Sequence, residues 1–492
     1  MTFTSTALNL KVLSQEAIES IHQASVQILS NTGVNVDSER VRALLADHGC
    51  RVDGDRVRIS VELIEKIISQ PMPKMVIHSR TGKYRSTRKG RGFMAQNMGS
   101  VSKILDLETG KLRLCTIEDL VKTTRLLDAT GELDAVMPLI YPQEIGQEMA
   151  QIRMVDFALQ NTEKPLIAPG VTGGIETRYI LQMFAVVAGG AAELRARPLT
   201  VIPISPISPL TYSGDVCDAI WEAATAGAPM YALPCPNAGL TGPITMAGSL
   251  TQQNAEILGF TIISRLINPA APVIYAARLM YANMKSGNTT MGIVNLGLAG
   301  ACAVELAHFY GMESNVYGLG TSAIAADAAC GYEKAVNGIL PVLTDTDWLS
   351  GTSALLDGLT ASYEQIVIDN EILKMLRYVS RELVVDSDTI AAEVIADIMN
   401  GQNFLGHPHT FNYIRSDEVY DYASGLGNSL GYDEWVTGGS KTTQDVARER
   451  VKEILASHEV KPLTDAQSKA IAEIVAEAEV KTKEWKRKKR GA

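Results

Sequence analysis

Aromatic side chains at the ends of short apolar runs are the most distinctive chemical feature of this sequence. Phe, Trp and Tyr make up only 6% of the chain, yet a set of rings falls in or just after such runs: Tyr141, Tyr275, Tyr281, Tyr317, Tyr332 and Trp348. A ring face attracts a cation by roughly 0.5–2 kcal/mol. This is the chemistry that a quaternary ammonium ion requires, because it has no proton to donate. Each ring taken singly is equally compatible with a place in the core.

Other catalytic signatures are absent or incomplete. His407 and His409 form an HxH pair without a third ligand nearby, so a loop histidine that fixes local hydrogen bonds is favoured over a zinc site. Gly318-x-Gly320 lacks the later glycine and the acidic ribose partner of a dinucleotide fingerprint. No lysine stands at the end of an apolar run, which argues against Schiff-base chemistry. The sequence therefore predicts that the chain itself binds no metal and no nucleotide.

The candidate residues are positioned by a repeated unit that begins near residue 134. In each unit a short apolar run ends at Pro, Gly or Ser and is followed by a longer helical pattern. The eight runs are Met137–Tyr141, Leu166–Gly170, Leu199–Ser205, Met230–Pro234, Val273–Ala277, Asn315–Gly320, Ile339–Leu343 and Thr352–Leu356. Such alternation is typical of parallel strands covered by helices on the outside, and eight units predict a closed (β/α)8 TIM barrel. The competing architecture, a doubly wound open sheet, would need a glycine-rich phosphate turn that is missing here.

The chain is predicted to have three parts. Residues 1–125 combine a helical pattern, a turn at Asp53-Gly54 and basic loops, and are expected to be an N-terminal accessory region packed on the barrel. Residues 126–380 form the (β/α)8 barrel. Residues 381–492 are helical in pattern apart from a loop between Asn403 and Gly439, which predicts a C-terminal helical cap or interaction surface. The active site of such a barrel lies where its strands end.

Composition and charge narrow the class of protein. With 46% apolar and 20% charged residues among 492, the chain is predicted to be globular. A net charge of −10 disfavours nucleic acid as a partner. A targeting leader and an apolar run of about 18 residues are both missing, and the six cysteines are scattered singly, so a cytoplasmic protein without a membrane partner is expected. The basic run 481–490 is interpreted as a solvated helix end, with docking of an acidic partner as the alternative.

Three segments resemble the trimethylamine methyltransferase superfamily. The longest spans residues 227–256 and continues over 268–275; the others are 327–334 and 404–411. With the general layout, the resemblance covers nearly the whole chain. It implies a (β/α)8 barrel that demethylates methylamines and methylates the Co(I) form of a corrinoid, a cobalamin-type cofactor, on a partner protein. It also implies a role in methylamine metabolism related to methanogenesis, and a homo-oligomer.

One departure from the family bears on the substrate. Trimethylamine enzymes carry a pyrrolysine at the barrel mouth, in the segment that resembles residues 317–322, and this chain has Gly320 at that place. The resemblance therefore makes Gly320 and Thr321 the candidate catalytic positions, with space beside Gly320 for a bulkier substrate. It points to a quaternary amine rather than trimethylamine, because a quaternary nitrogen leaves as a neutral amine and needs no general acid.

The resemblance also implies how this substrate is held. Betaine-type members act on glycine betaine, proline betaine, carnitine or related zwitterions, whose carboxylate needs a donor opposite the rings. Arg278 is the first candidate, since its planar group can hold a carboxylate through two hydrogen bonds; an Arg278 paired with a barrel carboxylate is an equally good explanation. The remaining substrate-binding candidates are the polar Gln96, Asn97 and Asn237 and the rings of Tyr141, Tyr275, Tyr281, Tyr317 and Trp348.

The predicted activity is transfer of a methyl group from a small quaternary amine, first of all glycine betaine, to Co(I) of a separate corrinoid protein. No histidine of this chain has Asp two residues before it, so the Asp-x-His-x-x-Gly pattern of corrinoid binding is missing. The corrinoid is therefore expected to come from the partner. A quaternary amine binding or sensing protein without turnover and a barrel lyase remain as alternatives.

Overall fold

Eight parallel strand positions form a closed barrel in the computed structural model, which describes residues 4–491 except 7, 87–91, 400, 402, 423–424 and 428–430. Two of the positions, β2 at 135–136 and β3 at 166, are single bridges. The other six are β1 Met94–Asn97, β4 Ile202–Ile204, β5 Met230–Ala232, β6 Val273–Ala277, β7 Ser314–Tyr317 and β8 Trp348–Thr352.

Hydrogen bonds run around the whole circuit of strands. One parallel sheet holds β4, β5, β6, β7, β8 and β1 in that order. Gln96 of β1 then bridges Ala135, and Val136 bridges Leu166. The remaining gap, between β3 and β4, is closed by a hydrogen bond. The N–H of Ala168 donates to the carbonyl of Val201 at 3.1 Å. The predicted (β/α)8 barrel is therefore confirmed.

One helix follows each strand position. The eight are α1 Ile117–Ala129, α2 Ala150–Asn161, α3 Gly174–Ala188, α4 Gly214–Ala226, α5 Met246–Ile267, α6 Asn295–Phe309, α7 Ala328–Leu343 and α8 Tyr363–Ser380. Side-chain oxygens of Thr116, Ser213, Asp327 and Ser362 accept N–H bonds at the starts of α1, α4, α7 and α8. Such caps satisfy backbone donors that have no partner inside the helix, and they fix where each helix begins.

Three strand predictions are wrong. The bridges of β2 lie at 135–136, just before the predicted run Met137–Tyr141. Ile339–Leu343 is the end of α7, because a short apolar run has the same pattern in a buried helix as in a buried strand. The last strand, Trp348–Thr352, ends where the predicted run Thr352–Leu356 begins. The prediction also leaves β1 in the accessory region, because Gln96 and Asn97 interrupt its apolar pattern although all four residues of β1 are buried. The barrel therefore starts at Met94, within residues 1–125.

The region before β1 packs on the outside of the barrel. Its helices are Gln15–Gln27, Glu39–Asp47 and Val61–Ile68, with a π-helical turn at Ile28–Thr32; its strands are Thr4–Thr6, Val34–Val36, Arg51–Asp53, Arg56–Arg58, Ile77–His78 and Arg85–Ser86. The predicted turn at Asp53-Gly54 joins two of these strands. Thr211–Tyr212, which follows β4, adds a parallel strand to the same sheet and so ties this region to the barrel.

Two small sheets lie on the carboxyl side of the barrel, where the loops after its strands meet. One contains Asn237–Ala238, Met280–Ala282 and Thr289–Thr290, and the other Lys103–Leu105, Leu112–Leu114, Ala354–Leu355 and Thr360–Ser362. The short helices Gln147–Met149 (3-10) and Ala191–Ala196 complete the connections.

The C-terminal part is mostly helical, as predicted, but the helices Pro408–Tyr413 and Tyr432–Thr437 lie in the segment that was expected to be a loop. After the strand Leu383–Val385 come four short helices, Ser387–Ile390, Ala392–Met399, Pro408–Tyr413 and Tyr432–Thr437. Two long helices follow: Thr443–Ser457 packs on α8 and α1, and Asp465–Gly491 packs on α3. The side chains of the basic run beyond residue 485 lie outside the described residues. Within the described ranges, no helix combines the length and the apolarity needed to span a bilayer.

Candidate active site

A polar layer fills the barrel interior above an apolar floor. The Tyr231 hydroxyl of β5 donates to Oε1 of Gln96 at 2.7 Å, and Nδ2 of Asn315 on β7 donates to the same oxygen at 3.4 Å. All three side chains are buried. Buried polar groups are stable when they are hydrogen-bonded, so this layer forms a fixed support for whatever lies between it and the open end of the barrel.

Arg278 follows β6 and lies on this polar layer. Its Nη1 donates to the carbonyls of Asn315 at 2.7 Å and Ala277 at 2.9 Å, and its Nη2 donates to Oδ1 of Asn315 and to the hydroxyl of Ser350. The ring centroid of Tyr317 lies 4.2 Å from the guanidinium carbon. Arg278 is thus held by neutral groups, although it is only 1% exposed.

Arg278 has no counter-charge within the part of the chain that the structure describes. None of the salt bridges there includes it, and its Nε has no hydrogen-bond partner. A barrel carboxylate, the alternative explanation for this residue, is therefore not its partner. A buried charge without compensation is unfavourable, so this position favours the binding of an anion.

Cys235 and Tyr317 line the layer on the side of the barrel mouth. Burial raises the pKa of the Cys235 thiol and of the Tyr317 hydroxyl, while the nearby Arg278 acts in the opposite direction on both. Both groups therefore stay neutral near pH 7. Together they form a weakly polar wall beside one buried positive charge.

The sequence interpretation missed Tyr231, Asn315 and Ser350, which hold this arrangement together. They lie inside apolar runs and so resemble core residues. A signal was present nevertheless: Asn315 and Tyr317 are two residues apart, as are Trp348 and Ser350, and residues at this spacing share one face of a strand. Polar residues on the inward face of a barrel strand indicate a polar interior.

The backbone beside Arg278 is held by Gln253 of α5. The Gln253 amide is oriented so that its oxygen faces two backbone donors. This oxygen accepts from the N–H groups of Arg278 at 2.9 Å and Leu279 at 3.0 Å. On the same helix, the Glu256 carboxylate accepts from the N–H of Leu210 at 2.8 Å and from the Ser208 hydroxyl at 2.7 Å. The long segment 227–256, which carries the family resemblance, therefore positions the loops of the mouth.

Tyr275 and Asn97 face away from the mouth. The Tyr275 hydroxyl donates to Oδ1 of Asn254 on α5 at 2.9 Å, so this ring lies between barrel and helices. Oδ1 of Asn97 accepts from the N–H of Met137 at 2.8 Å, and Nδ2 donates to the Met137 carbonyl at 2.7 Å. Because side chains alternate along a strand, each points opposite to its inward neighbour. The prediction that these two bind substrate is not supported by their positions.

Trp348 lies on the floor of the barrel, at the amino end of β8. It is fully buried among Met94, Val201 and Ile274, at the opposite end of the interior from Arg278. Glu313 lies at the same end of the barrel. Burial and, to a smaller extent, the negative charge of the nearby Asp347 raise the pKa of its carboxyl group to about 7. Trp348 begins its strand, and the side chains that face the mouth come from strand ends. It is therefore not part of a cage with Tyr317.

Three more of the predicted residues lie on the rim of the mouth. Asn237 and Tyr281 belong to one small sheet: Nδ2 of Asn237 donates to the hydroxyl of Thr289 at 2.7 Å, and Tyr281 pairs with Thr290. Tyr141 is half-buried, and its N–H donates to the carbonyl of Val101 at 2.7 Å. These contacts place the three residues outside the polar layer. Of the predicted substrate-binding residues, the structure brings together Gln96, Arg278 and Tyr317.

The loop after β7 is packed rather than open. A Cβ at Gly320 would lie 2.5 Å from Cδ2 of Leu296 and 3.1 Å from Cβ of Met291. Thr321 is buried, and its hydroxyl donates to the Glu333 carboxylate of α7. The expected open space beside Gly320 is therefore filled by two apolar side chains, and Thr321 acts as an anchor of this loop.

Replacing Gly320 with Leu is consequently expected to destabilise the fold by about 1–3 kcal/mol or more, since extra methylene groups must displace Leu296 and Met291. Urea denaturation of the two proteins measures this change. Gly331→Leu is the matched control, because no atom lies within 4 Å of a Cβ at Gly331. Equal stability of both variants would contradict the packing argument.

The second family-resembling segment, 327–334, anchors the ends of β7 and β8. The Glu333 carboxylate accepts from the N–H of Ser322 at 2.9 Å. Nζ of Lys334 forms an ion pair with Asp369 of α8 at 2.8 Å, with both groups buried. The Asp369 carboxylate also accepts from the N–H of Ser353, directly after β8, at 2.5 Å. This motif is therefore a positioning element for the two strand ends.

The third segment, 404–411, lies far from the barrel interior. Nδ1 of His407 accepts from the N–H of His409 at 3.1 Å, and the His409 ring lies 3.0 Å from the carbonyl oxygen of Asp388. These are the local hydrogen bonds expected from the sequence. Among the residues that the structure describes, no group of three or more His, Cys, Asp or Glu could hold a metal ion.

Comparison with known proteins gives matches along almost the whole chain. The family model described as trimethylamine methyltransferase (MTTB) matches residues 2–482. The trimethylamine methyltransferase MttB of Desulfitobacterium hafniense (strain DSM 10664 / DCB-2) is 30% identical over 468 residues, 95% of this chain and 93% of the relative. MttB of Methanosarcina thermophila is 29% identical over 464 residues, 93% and 95% of the two chains.

A relative with a different printed substrate also matches. The glycine betaine methyltransferase of Desulfitobacterium hafniense (strain Y51) is 26% identical over 458 residues, 93% of this chain and 94% of that protein. All of these relatives are named methyltransferases, so the chain is an enzyme of the transferase class. It is a member of the trimethylamine methyltransferase family.

Proposed function

We propose that this enzyme removes a methyl group from a small quaternary amine that also carries a carboxylate, and passes it to the Co(I) form of a corrinoid on a separate protein. Glycine betaine is the first candidate substrate, with proline betaine and carnitine as others. The observation that carries the proposal is Arg278, a buried cation without a counter-charge in the described structure. The glycine betaine methyltransferase among the relatives supports the same substrate class.

The carboxylate end of the substrate is assigned to Arg278. Nε is the donor of this side chain that has no partner, whereas Nη1 and Nη2 are held by Asn315 and its neighbours. A carboxylate that accepts from Nε gains a charge-assisted hydrogen bond. The polar layer keeps the guanidinium in one orientation, so little side-chain freedom is lost when the substrate binds.

The ammonium end is assigned to the wall formed by Tyr317 and Cys235. Arg278 already occupies one face of the Tyr317 ring, so the ammonium is expected against the opposite face or the ring edge. The neutral state of both side chains leaves the substrate cation poorly solvated, which favours a transition state in which its charge is being dispersed.

The chemistry needs no acid from the protein. When the N–CH3 bond breaks, its electron pair stays on nitrogen, and the product is a neutral tertiary amine. The Co(I) centre of the partner supplies the nucleophile that receives the methyl group. The side chains of this chain therefore have three tasks: binding the carboxylate, orienting the methyl group toward the mouth and excluding water from the ammonium.

Methyl transfer to reduced free cobalamin tests the proposal. The enzyme is incubated with glycine betaine, proline betaine, carnitine or trimethylamine, and methylcobalamin is followed by its visible spectrum. We expect product with at least one betaine and none with trimethylamine. Calorimetric titration of the same compounds separates the alternatives: tight betaine binding without methylcobalamin would indicate a binding or sensing protein.

A further inference from the structure

A second cavity, here called the floor cavity, lies at the amino end of the barrel, on the face opposite the mouth. It has a volume of about 510 Å³ and separates the segment 72–76 from the residues at the starts of β1, β6, β7 and β8. Four of its lining side chains are polar, and most of the others are apolar, among them Met75, Met94, Val273, Ile274 and Met312. Ligand sites in proteins are commonly cavities of about 300–1,000 Å³ with mostly apolar walls and a few polar groups. The floor cavity therefore has the size and composition of a small-molecule site.

Glu313, directly before β7, supplies the floor cavity with a buried acceptor. Its Oε1 accepts from the N–H of Met75 at 3.2 Å. Its Oε2 is buried and has no hydrogen-bond partner in the described part of the chain. The indole N–H of the fully buried Trp348 lies near this carboxyl group, and it too makes no hydrogen bond to any described residue. A buried polar atom without a partner is unfavourable, so a ligand that donates to Oε2 stabilises this site.

The second acid of the floor cavity, Asp347, is already held by neighbouring donors. Its Oδ2 accepts from the N–H and from the hydroxyl of Ser314, each at 2.9 Å, and lies 2.9 Å from Nε2 of His308. Its negative charge nevertheless acts on Glu313: burial first, and then Asp347, raise the pKa of that carboxyl group to about 7. A positive charge placed beside Glu313 favours its ionised form. The interior of the floor cavity therefore attracts a cation that carries a hydrogen-bond donor.

The two basic side chains of the floor cavity lie nearer to the solvent. Lys74 is exposed, and the His308 side chain is 37% exposed, whereas the Asp347 side chain is only 12% exposed. Negative charge is thus concentrated in the interior and positive charge at the opening. A small zwitterion that enters with its ammonium group first meets an opposite charge at each of its ends. The methionine and aliphatic walls can cover the apolar carbons between the two ends.

We propose that the floor cavity binds a small amino acid whose nitrogen carries a proton, with this N–H donating to Oε2 of Glu313 and the carboxylate facing Lys74. The site is separate from the one at the mouth, because the barrel interior with its apolar floor lies between Glu313 and Arg278. An uncharged ligand would leave the ionised form of Glu313 without compensation, and an anion would be repelled by both acids. The charges of the floor cavity therefore favour a zwitterion with an N–H donor.

The need for an N–H donor separates two related amino acids. Glycine betaine has a quaternary nitrogen without a hydrogen, so it cannot donate to Oε2 of Glu313. N,N-dimethylglycine, which remains when one methyl group leaves glycine betaine, has a tertiary nitrogen that carries a proton in water. For a ligand produced by the enzyme, the inference rests on the proposed function, and N,N-dimethylglycine is then the first candidate. The floor cavity is expected to bind this product and to exclude its quaternary precursor.

The affinity of the floor cavity should increase with pH through Glu313. A pKa of about 7 leaves about one tenth of this carboxyl group ionised at pH 6 and about nine tenths at pH 8. Because the ligand cation pairs with the ionised form, binding should be roughly 10-fold tighter at pH 8 than at pH 6. Lys74, His308 and Asp347 are the other titratable groups that face Glu313 from the segment 72–76, α6 and β8. Glu313→Gln should abolish the pH dependence, whereas a dependence caused by the other three groups would persist.

Calorimetric titration of the full-length protein with N,N-dimethylglycine, glycine and glycine betaine tests the proposal. Glu313→Gln should weaken binding of the two ligands with an N–H group at least 10-fold and should leave glycine betaine binding as in wild type. Arg278→Gln, which changes the mouth, should retain the floor cavity and its affinity for N,N-dimethylglycine. Glu305→Gln is the matched control. Its carboxylate accepts from the N–H groups of Val12 at 3.1 Å and Leu13 at 2.9 Å, away from the floor cavity, so ligand binding should not change.

Proton release provides a measurement that needs no variant. At pH 7, binding of a cation beside Glu313 should release up to about half a proton, which titration in buffers of different ionisation enthalpy detects. Absence of binding by both glycine and N,N-dimethylglycine in wild type, or binding without proton release, would overturn the proposal. So would equal weakening by Glu305→Gln and Glu313→Gln. Glycine binding that depends on Glu313, in a protein without methyl transfer, would support the floor cavity and refute only the proposed function.

Discussion

Replacing Asp369 with Asn is expected to lower the free energy of unfolding by about 3–5 kcal/mol, because the change leaves Lys334 buried without a counter-charge. The loss extends to the mouth, since the same carboxylate accepts from the N–H of Ser353 and from the amide of Gln365. Urea denaturation followed by circular dichroism measures the change. Methyl transfer should fall as well, because the end of β8 loses its anchor.

Two further variants show whether the loss of stability comes from leaving Lys334 buried without a partner or from losing the attraction of the ion pair. Glu449→Gln breaks an exposed pair with Lys441 of similar length, 2.8 Å, and should change stability by less than about 1 kcal/mol. The double variant Lys334→Met, Asp369→Leu removes both charges and should recover much of the stability that Asp369→Asn loses. If Asp369→Asn were no more harmful than Glu449→Gln, the interior pair would not hold the strand ends.

Replacing Arg278 with Gln is expected to reduce kcat/KM for glycine betaine about 10- to 150-fold. This range corresponds to the loss of a hydrogen bond to a charged group, about 1.5–3 kcal/mol. Arg278→Lys keeps the charge but loses the planar group, so it should recover only part of the activity. Steady-state methyl transfer to free cobalamin measures both variants, with betaine concentration varied to separate KM from kcat.

A substrate without a carboxylate provides the control for this prediction. Tetramethylammonium contains the quaternary nitrogen alone, and its turnover, however slow in wild type, should be nearly the same in Arg278→Gln. Because Arg278 also holds Asn315, thermal unfolding must show that the variant keeps its fold. An equal loss with both substrates, in a variant of normal stability, would mean that Arg278 supports the barrel and does not bind the carboxylate.

The structure does not form the predicted cage of rings, and only one of the predicted rings, Tyr317, contacts Arg278. Tyr317 lies beside Arg278, whereas Trp348 is on the floor and Tyr275 is outside the barrel. An aromatic residue near the end of an apolar run can face the interior, the helix layer or the rim, and its position in the run alone does not decide which. The site is better described as a buried cation with a weakly polar wall.

The sequence by itself was sufficient for the fold class, the family resemblance and the position of Arg278. Alternation of apolar runs and helical patterns reflects local periodicity and length, and both survive in the structure, where a helix follows each barrel strand. The order of these units then leaves a closed barrel as the favoured architecture. Arg278 follows its strand at the end where barrel sites lie.

Only the tertiary structure decided which side chains meet. Closure of the sheet sets which alternate residues of a strand face inward, so Gln96 enters the polar layer while Asn97 joins two strand ends. Packing between distant segments fills the space beside Gly320 with Leu296 and Met291 and pairs Lys334 with Asp369. Such contacts depend on the positions of whole helices and strands in space, and no local pattern of residue types contains that information.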